Sequence, residues 1–261
     1  MLNGRFSRVC GLVGALGLVS CISPGTPEEE EQQNEEEQQN EESTPPESNT
    51  GGAGGTGQLG RPASDDFSGG ELDPRWSFID PAEGATIVIV EGDLVIQVNG
   101  DAEKVLGVRN TDSPRLLQVA EDTDFSVVVK FEEVSLPVGA GLGIVALQDD
   151  EKFVSASVYA RPDSSLSFLV GSVADEVGDT LYNHTAGDVG TTLHLRLSRA
   201  GDLWTYEYSE DGVEFQFLDE FEADLELSSL GVYAKILEGS PDMTVTVDHF
   251  EVADDPLSTR D

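Results

Sequence analysis

From Ser64 onward, apolar residues fall at every second position and almost nowhere at helical spacing. Leu193, Leu195 and Leu197 alternate with His194, Arg196 and Ser198; Trp204, Tyr206 and Tyr208 alternate with Thr205, Glu207 and Ser209; Val213, Phe215 and Phe217 alternate with Glu214 and Gln216. Successive side chains of a strand point to opposite faces, so this period predicts strands buried on one side. Between the last two runs, Glu210-Asp211-Gly212 predicts a hairpin in which glycine supplies the positive φ. Its apolar rows would then face each other, which places Trp204, Tyr206 and Tyr208 in the core with Phe215 and Phe217 rather than on a sugar-stacking platform. Further strands are expected at Thr86 to Val90, turning at Gly92 into Leu94 to Val98, and at Phe125 to Val134, Leu142 to Leu147, Phe153 to Tyr159, Leu166 to Val170, Leu230 to Ile236 and Met243 to Val252. Within the last run Val245 and Val247 share one parity and Phe250 and Val252 the other, so a bulge at Asp248-His249 is needed to keep all four inward. Short strands at this spacing predict an all-β fold: a two-sheet antiparallel jelly-roll sandwich over residues 64–253.

The first 63 residues follow other rules. Arg5 and Arg8 precede an apolar run from Val9 to Val19, far shorter than the roughly 18 residues a spanning helix requires, so residues 1–20 are expected to be a secretory signal. Its ending, Leu18-Val19-Ser20-Cys21, resembles the lipobox of bacterial lipoproteins. That resemblance implies cleavage before Cys21, acylation of its thiol and new amine, and anchoring by several acyl chains, since a single chain holds only marginally. Ile22 follows the cysteine, which in a cell with two membranes favours the outer one. Residues 22–63 contain no aromatic side chain and twice repeat Glu-Glu-Glu-Gln-Gln-Asn, at Glu29 to Asn34 and Glu35 to Asn40. Such a composition cannot bury enough apolar surface to offset chain entropy, so a disordered tether is expected, with a short disordered tail at 254–261.

Charge narrows the partners. The chain carries 51 acidic and 14 basic residues, and between Ser64 and Ala253 the balance is 38 to ten, a net −28. Nucleic-acid binding depends on Lys and Arg displacing counterions, so that class is excluded. Both cysteines lie within the first 21 residues, so core burial must hold the domain without disulfides or thiolate metal sites.

Asp65-Asp66-Phe67-Ser68, Leu72-Asp73-Pro74-Arg75-Trp76, Glu91-Gly92-Asp93-Leu94, Tyr208-Ser209-Glu210-Asp211-Gly212, Leu230-Gly231-Val232-Tyr233-Ala234 and Val247-Asp248-His249-Phe250 occur in that order. Together they resemble the concanavalin A-like domain at the C-terminus of family 43 beta-xylosidases and in related secreted proteins. The resemblance spans Asp65 to Val252. It implies a jelly roll whose first and last strands lie side by side. Residues 1–63 hold no family 43 catalytic propeller, so xylosidase activity is not expected to carry over.

Four sets of residues carry candidate chemistry. Glu222, Asp224 and Glu226 form an E-x-D-x-E pattern like that of family 16 glucanases; on one strand face, two of them would serve as nucleophile and acid. Asp66 and Asp248 would converge if the terminal strands are neighbours, and hard carboxylate oxygens suit a structural calcium ion, although each has a local use as a turn cap or backbone acceptor. Arg115, Tyr159, His194 and Arg196 are polar positions suited to a concave binding face. Gly139-Ala140-Gly141-Leu142-Gly143 leads into a strand, which removes a dinucleotide loop from consideration. The expected function is a membrane-anchored, extracytoplasmic module that binds polysaccharide or another glycan without catalysis and requires no cofactor; a family 16-type hydrolase and a protein-binding scaffold or adhesion module are the alternatives. Replacing Cys21 by Ser is expected to abolish lipidation and processing, read as loss of the acyl mass increment and retention of the unprocessed chain. A variant still acylated at its normal mass would contradict the anchor.

Overall fold

The computed structural model describes residues 60–253 apart from 109, 175–176 and 187–188. The signal, Cys21, the tether to residue 59 and the tail from 254 lie outside the described residues. Sixteen strands follow in order: β1 (Trp76–Ile79), β2 (Ala85–Val90), β3 (Asp93–Val98), β4 (Leu106–Gly107), β5 (Asn110–Thr111), β6 (Arg115–Val119), β7 (Phe125–Glu132), β8 (Gly141–Leu147), β9 (Phe153–Ala160), β10 (Leu166–Ala174), β11 (Val177–Thr185), β12 (Leu193–Ala200), β13 (Leu203–Ser209), β14 (Gln216–Glu222), β15 (Ser229–Lys235) and β16 (Met243–Ala253). Two seven-stranded sheets contain all but β4 and β5. Sheet I runs β14-β13-β12-β7-β16-β3-β2 and sheet II runs β1-β6-β15-β8-β9-β10-β11. Neighbouring strands in both are antiparallel. The expected all-β antiparallel sandwich is therefore the observed fold.

Alternation builds the core as the hydrophobic pattern requires. Leu193, Leu195 and Leu197 of β12, Val127, Val129 and Phe131 of β7, and Trp204 and Tyr206 of β13 meet the inward residues of sheet II, among them Ile144, Ala156, Val158, Phe168 and Val232. Phe125 and Phe168 meet Trp204 and Tyr206 edge-on, the arrangement ring quadrupoles favour. In β16, Val247 pairs with Phe131 and His249 with Lys130, so Asp248 is an extra residue. The bulge keeps both Val247 and Phe250 fully buried, as the change of parity demanded.

Three features depart from the sequence reading. The hairpin after β13 is wider than Glu210-Asp211-Gly212 suggested: β14 begins only at Gln216, and a bulge shifts its register between Tyr206 and Glu207. Asp211 Oδ1 accepts from the N–H groups of Val213 and Glu214 and from Ser209 Oγ, which organises a turn instead of a strand there. Val213 and Phe217 consequently face solvent, and Phe215 lies over the Arg196 guanidinium, so neither Phe215 nor Phe217 joins Tyr206 in the core. Strands β1, β4, β5, β6 and β11 add to those expected. Edge strand β11 is exposed along nearly its whole length and thus has no apolar alternation to read; its pairing with β10 defines it.

The first and last segments do meet, through one backbone bridge and the Ser64 hydroxyl, which accepts from the Val252 amide. Asp65 and Phe250 exchange backbone hydrogen bonds of 2.8 and 2.9 Å, whereas β1 pairs with β6 at the edge of sheet II. Asp65 is the hub of this latch. Its carboxylate accepts from Phe67 N–H at 2.9 Å and Trp76 Nε1–H at 2.8 Å, and Trp76 packs edge-on against Phe250 at 5.1 Å. Asp66 serves locally, accepting from the Ser68 amide and hydroxyl. Replacing Asp65 by Ala leaves two donors without their acceptor, one of them on buried Trp76, and is expected to cost about 2–4 kcal/mol in urea unfolding. The exposed Asp66→Ala change should stay within about 1 kcal/mol. Equal losses would remove the latch from the account.

Candidate functional site

With Leu193, Leu195 and Leu197 inward, the intervening residues of β12 form the middle of the outer face of sheet I. Cross-strand register arranges that face in rows. His249, Lys130, His194 and Ser209 stand opposite one another on β16, β7, β12 and β13; the adjacent row holds Glu251, Val128, Arg196, Glu207 and Phe217. The 210–215 turn folds back over β12, and Gly212 sits so close to His194 that a Cβ there would lie 2.8 Å from Nε2. Together these elements enclose a cleft of about 390 Å³ whose walls include His194, Arg196, Asp211, Phe215, His249 and Glu251.

Electrostatics inside the cleft are largely settled. Arg196 Nε donates to Glu207 Oε2 at 2.7 Å, both side chains are nearly buried, and the Phe215 ring covers the guanidinium 3.8 Å from its centroid. A paired, covered arginine presents shape and N–H donors rather than net charge. Hydrogen bonds from the Val213 and Glu214 amides, then from the Ser209 hydroxyl, hold Asp211 down at about 2. Burial, with the neighbouring His249 next, lowers His194 and favours the neutral imidazole; the two rings are 6.0 Å apart. Beside them Lys130 bridges Glu132 and Asp248. Burial works to raise Asp248, but hydrogen bonds from His249 and Lys130 outweigh it and hold this carboxyl below its usual range.

The sequence-predicted residues separate between the sheets. His194 and Arg196 line the cleft on sheet I, while Arg115 and Tyr159 belong to sheet II. Arg115 is buried and bonds the carbonyls of Thr111 and Ser113 and the Asp150 carboxylate, tying down the segment over sheet II. There Leu106 and Val108 cover a second apolar cluster of Leu117, Val145, Leu147, Phe153, Val173 and Tyr233. Tyr159 remains half exposed beside Lys235.

The three carboxylates of the E-x-D-x-E pattern are not brought together on one strand. Strand β14 ends at Glu222; Asp224 and Glu226 follow in the exposed connection to β15, because Leu225 turns into the core and the chain leaves the sheet. They do not share one strand face. Asp66 and Asp248, the calcium candidates, each bond nearby donors of their own. Among the described residues no group of three or more His, Cys, Asp or Glu side chains could hold a metal ion. The features that the sequence reading missed are Phe215 and Phe217 on the outer face. Their alternation with polar neighbours was visible, but the bulge that turns them outward was not.

No protein-family model and no curated protein matches the chain. Solved structures do. The GH43 protein BlXynB of Bacillus licheniformis matches with a TM-score of 0.60 at 16% identity over 74% of this chain and 39% of that one. The xylan beta-1,4-xylosidase of Bacillus halodurans C-125 matches with a TM-score of 0.59 at 15% identity over 74% and 39%. The CBM2 module of the evolved Dit of Lactobacillus casei BL23 phage J-1 matches with a TM-score of 0.53 at 8% identity over 74% of this chain and 95% of that module. The chain thus spans about two-fifths of the length of the GH43 structures, and at these identities what it shares with all three is the fold, a two-sheet antiparallel sandwich.

Proposed function

We propose that the protein is a lipid-anchored, extracytoplasmic module that binds carbohydrate without cleaving it, through the outer face of sheet I. The observation that carries this reading is Phe217, 63% exposed on a strand pair whose polar row supplies Arg196 and Glu207, with Phe215 beside the cleft. Sugars present apolar C–H faces and planar sets of hydroxyls, so a site combining ring surfaces with fixed polar groups suits them. Likeness to GH43 structures and to a CBM2 module, by its name a carbohydrate-binding domain, supports the same class. The absence of cleavage is supported by the exposed placement of Glu222, Asp224 and Glu226 off a common strand face. The lipobox at Cys21 and the long acidic tether support display at a distance from a membrane, the outer one in a cell with two.

A fragment comprising residues 60–261, passed over immobilised neutral polysaccharides, is expected to be retained selectively and to release no reducing sugar. Phe217→Ala should weaken retention about tenfold, the equivalent of ~1.4 kcal/mol, with an unchanged melting temperature because the ring lies in solvent. Retention of Phe217→Ala at wild-type strength would displace the site from this face. Sugar release lost in Glu222→Gln would instead establish a hydrolase.

A further inference from the structure

Cations are scarce in this domain, and six of the nine described ones in the sandwich are engaged by carboxylates. Arg75 pairs with Asp73, Arg115 with Asp150, Lys130 with Glu132 and Asp248, Lys152 with Asp224, Arg196 with Glu207 and Arg199 with Asp122. Lys104 is bonded by the carbonyl and side chain of Asn99. Besides Lys104, which Asn99 holds, the described cations of the sandwich without a carboxylate at ion-pair distance are Lys235 and Arg161, and both border the same tyrosine on the outer face of sheet II.

Lys235, Gly141, Tyr159 and Ser167 stand opposite one another on β15, β8, β9 and β10. The lysine stem crosses the space that Gly141 leaves vacant: a Cβ there would be 2.6 Å from Lys235 Cε and 2.9 Å from Tyr159 Cβ. This brings the ammonium 4.8 Å from the Tyr159 ring centroid, where the ring quadrupole attracts it. Burial pulls the Lys235 pKa down to about 8, as expected of a half-buried ammonium with no countercharge. At the hydroxyl end of the ring, Arg161 donates to Ser167 Oγ at 2.8 Å and Asn183 Oδ1 at 2.7 Å, while its buried Nε has no acceptor. Asn183 Nδ2 lies 3.3 Å from the tyrosine hydroxyl. A cation held this way disfavours the folded state, and in a domain with 38 acids a partner could have been supplied from within.

We propose that this row is a second binding site, one for the carboxylate of a uronic acid unit: Lys235 pairs with the carboxylate while Tyr159, Asn183 and Arg161 take the sugar ring and hydroxyls. An ion pair with the ligand would supply the countercharge that the fold withholds, and the aromatic and amide groups beside it distinguish a sugar acid from a bare anion. The net −28 repels polyanions at long range. The ligand is therefore a mostly neutral glycan bearing isolated uronic units, not a polyuronate or an acidic peptide. The site lies on the sheet opposite the Phe217 face and does not depend on that reading.

The test is an NMR titration of the full chain in detergent micelles, following Lys235 side-chain and Tyr159 ring resonances with methyl glucuronoside, methyl glucoside and acetate. Methyl glucuronoside should shift both residues saturably, with at least tenfold weaker binding of the other two. Lys235→Met should abolish that response and melt at the wild-type temperature or above, since it keeps the packing and removes an unpaired charge. Phe217→Ala should leave the response intact, which separates this site from the one on sheet I. Equal binding of glucoside, acetate binding as tight as glucuronoside, or an unchanged response in Lys235→Met would each overturn the proposal.

Discussion

The bulge at Asp248 is the constraint on which both the core and the outer face depend. Strand β16 lies between β7 and β3 in the middle of sheet I, and a side-chain period of two allows no correction once a strand is out of phase. One extra residue lets Val247 and Phe250 both point inward while His249 pairs with Lys130 on the other side. Phe250 then receives Trp76 and bridges to Asp65, so the bulge also fixes where the N-terminal segment docks. Outside, it sets His249 beside His194 and aims Asp248 at Lys130. Core closure, terminal latch and one wall of the cleft share this single insertion.

Charge is handled by pairing rather than by balance. In a strongly acidic domain that contains no cysteine, the buried arginines hold segments in place: Arg115 secures the stretch over sheet II, and Arg199 reaches Asp122, which also accepts from the Leu227 amide. Those bonds, the Arg199 contact first, keep Asp122 ionised below the usual carboxylate range. Removing one partner of such a pair leaves a buried charge uncompensated, which is why the arginines are structural and the unpaired Lys235 stands apart. The two outer faces differ accordingly, one with neutralised charge and exposed rings, the other with an available cation beside a tyrosine.

Much of this was legible in the alternation. The inward rows of β7, β12 and β13, the hairpin of β2 and β3, and the bulge in β16 all follow from parity alone. Parity does not say which of two sheets a strand joins, so Arg115, Tyr159, His194 and Arg196 could be placed on outer faces without knowing that they divide between them. Nor does it register an irregular pairing: the shift opposite Tyr206 and Glu207 sends Phe215 and Phe217 outward although their spacing resembles a core row. Strand β11 was silent because an exposed edge imposes no hydrophobic pattern. Lys235 and Arg161 were invisible as a pair because only the register of four strands brings them to one tyrosine.

Deleting Asp248 tests the account most directly. Without the extra residue Val247, His249 and Phe250 alternate regularly against Phe131, Lys130 and Val129, so Phe250 stays inward, whereas deleting Thr246 instead puts Val245 and Val247 on opposite faces. The Asp248 deletion should therefore lose no more than about 2 kcal/mol in urea unfolding, while the Thr246 deletion, which turns a core valine out, should lose about 3 kcal/mol or more. An Asp248 deletion as damaging as the Thr246 deletion would show that the register of β16 is set elsewhere and would contradict the account.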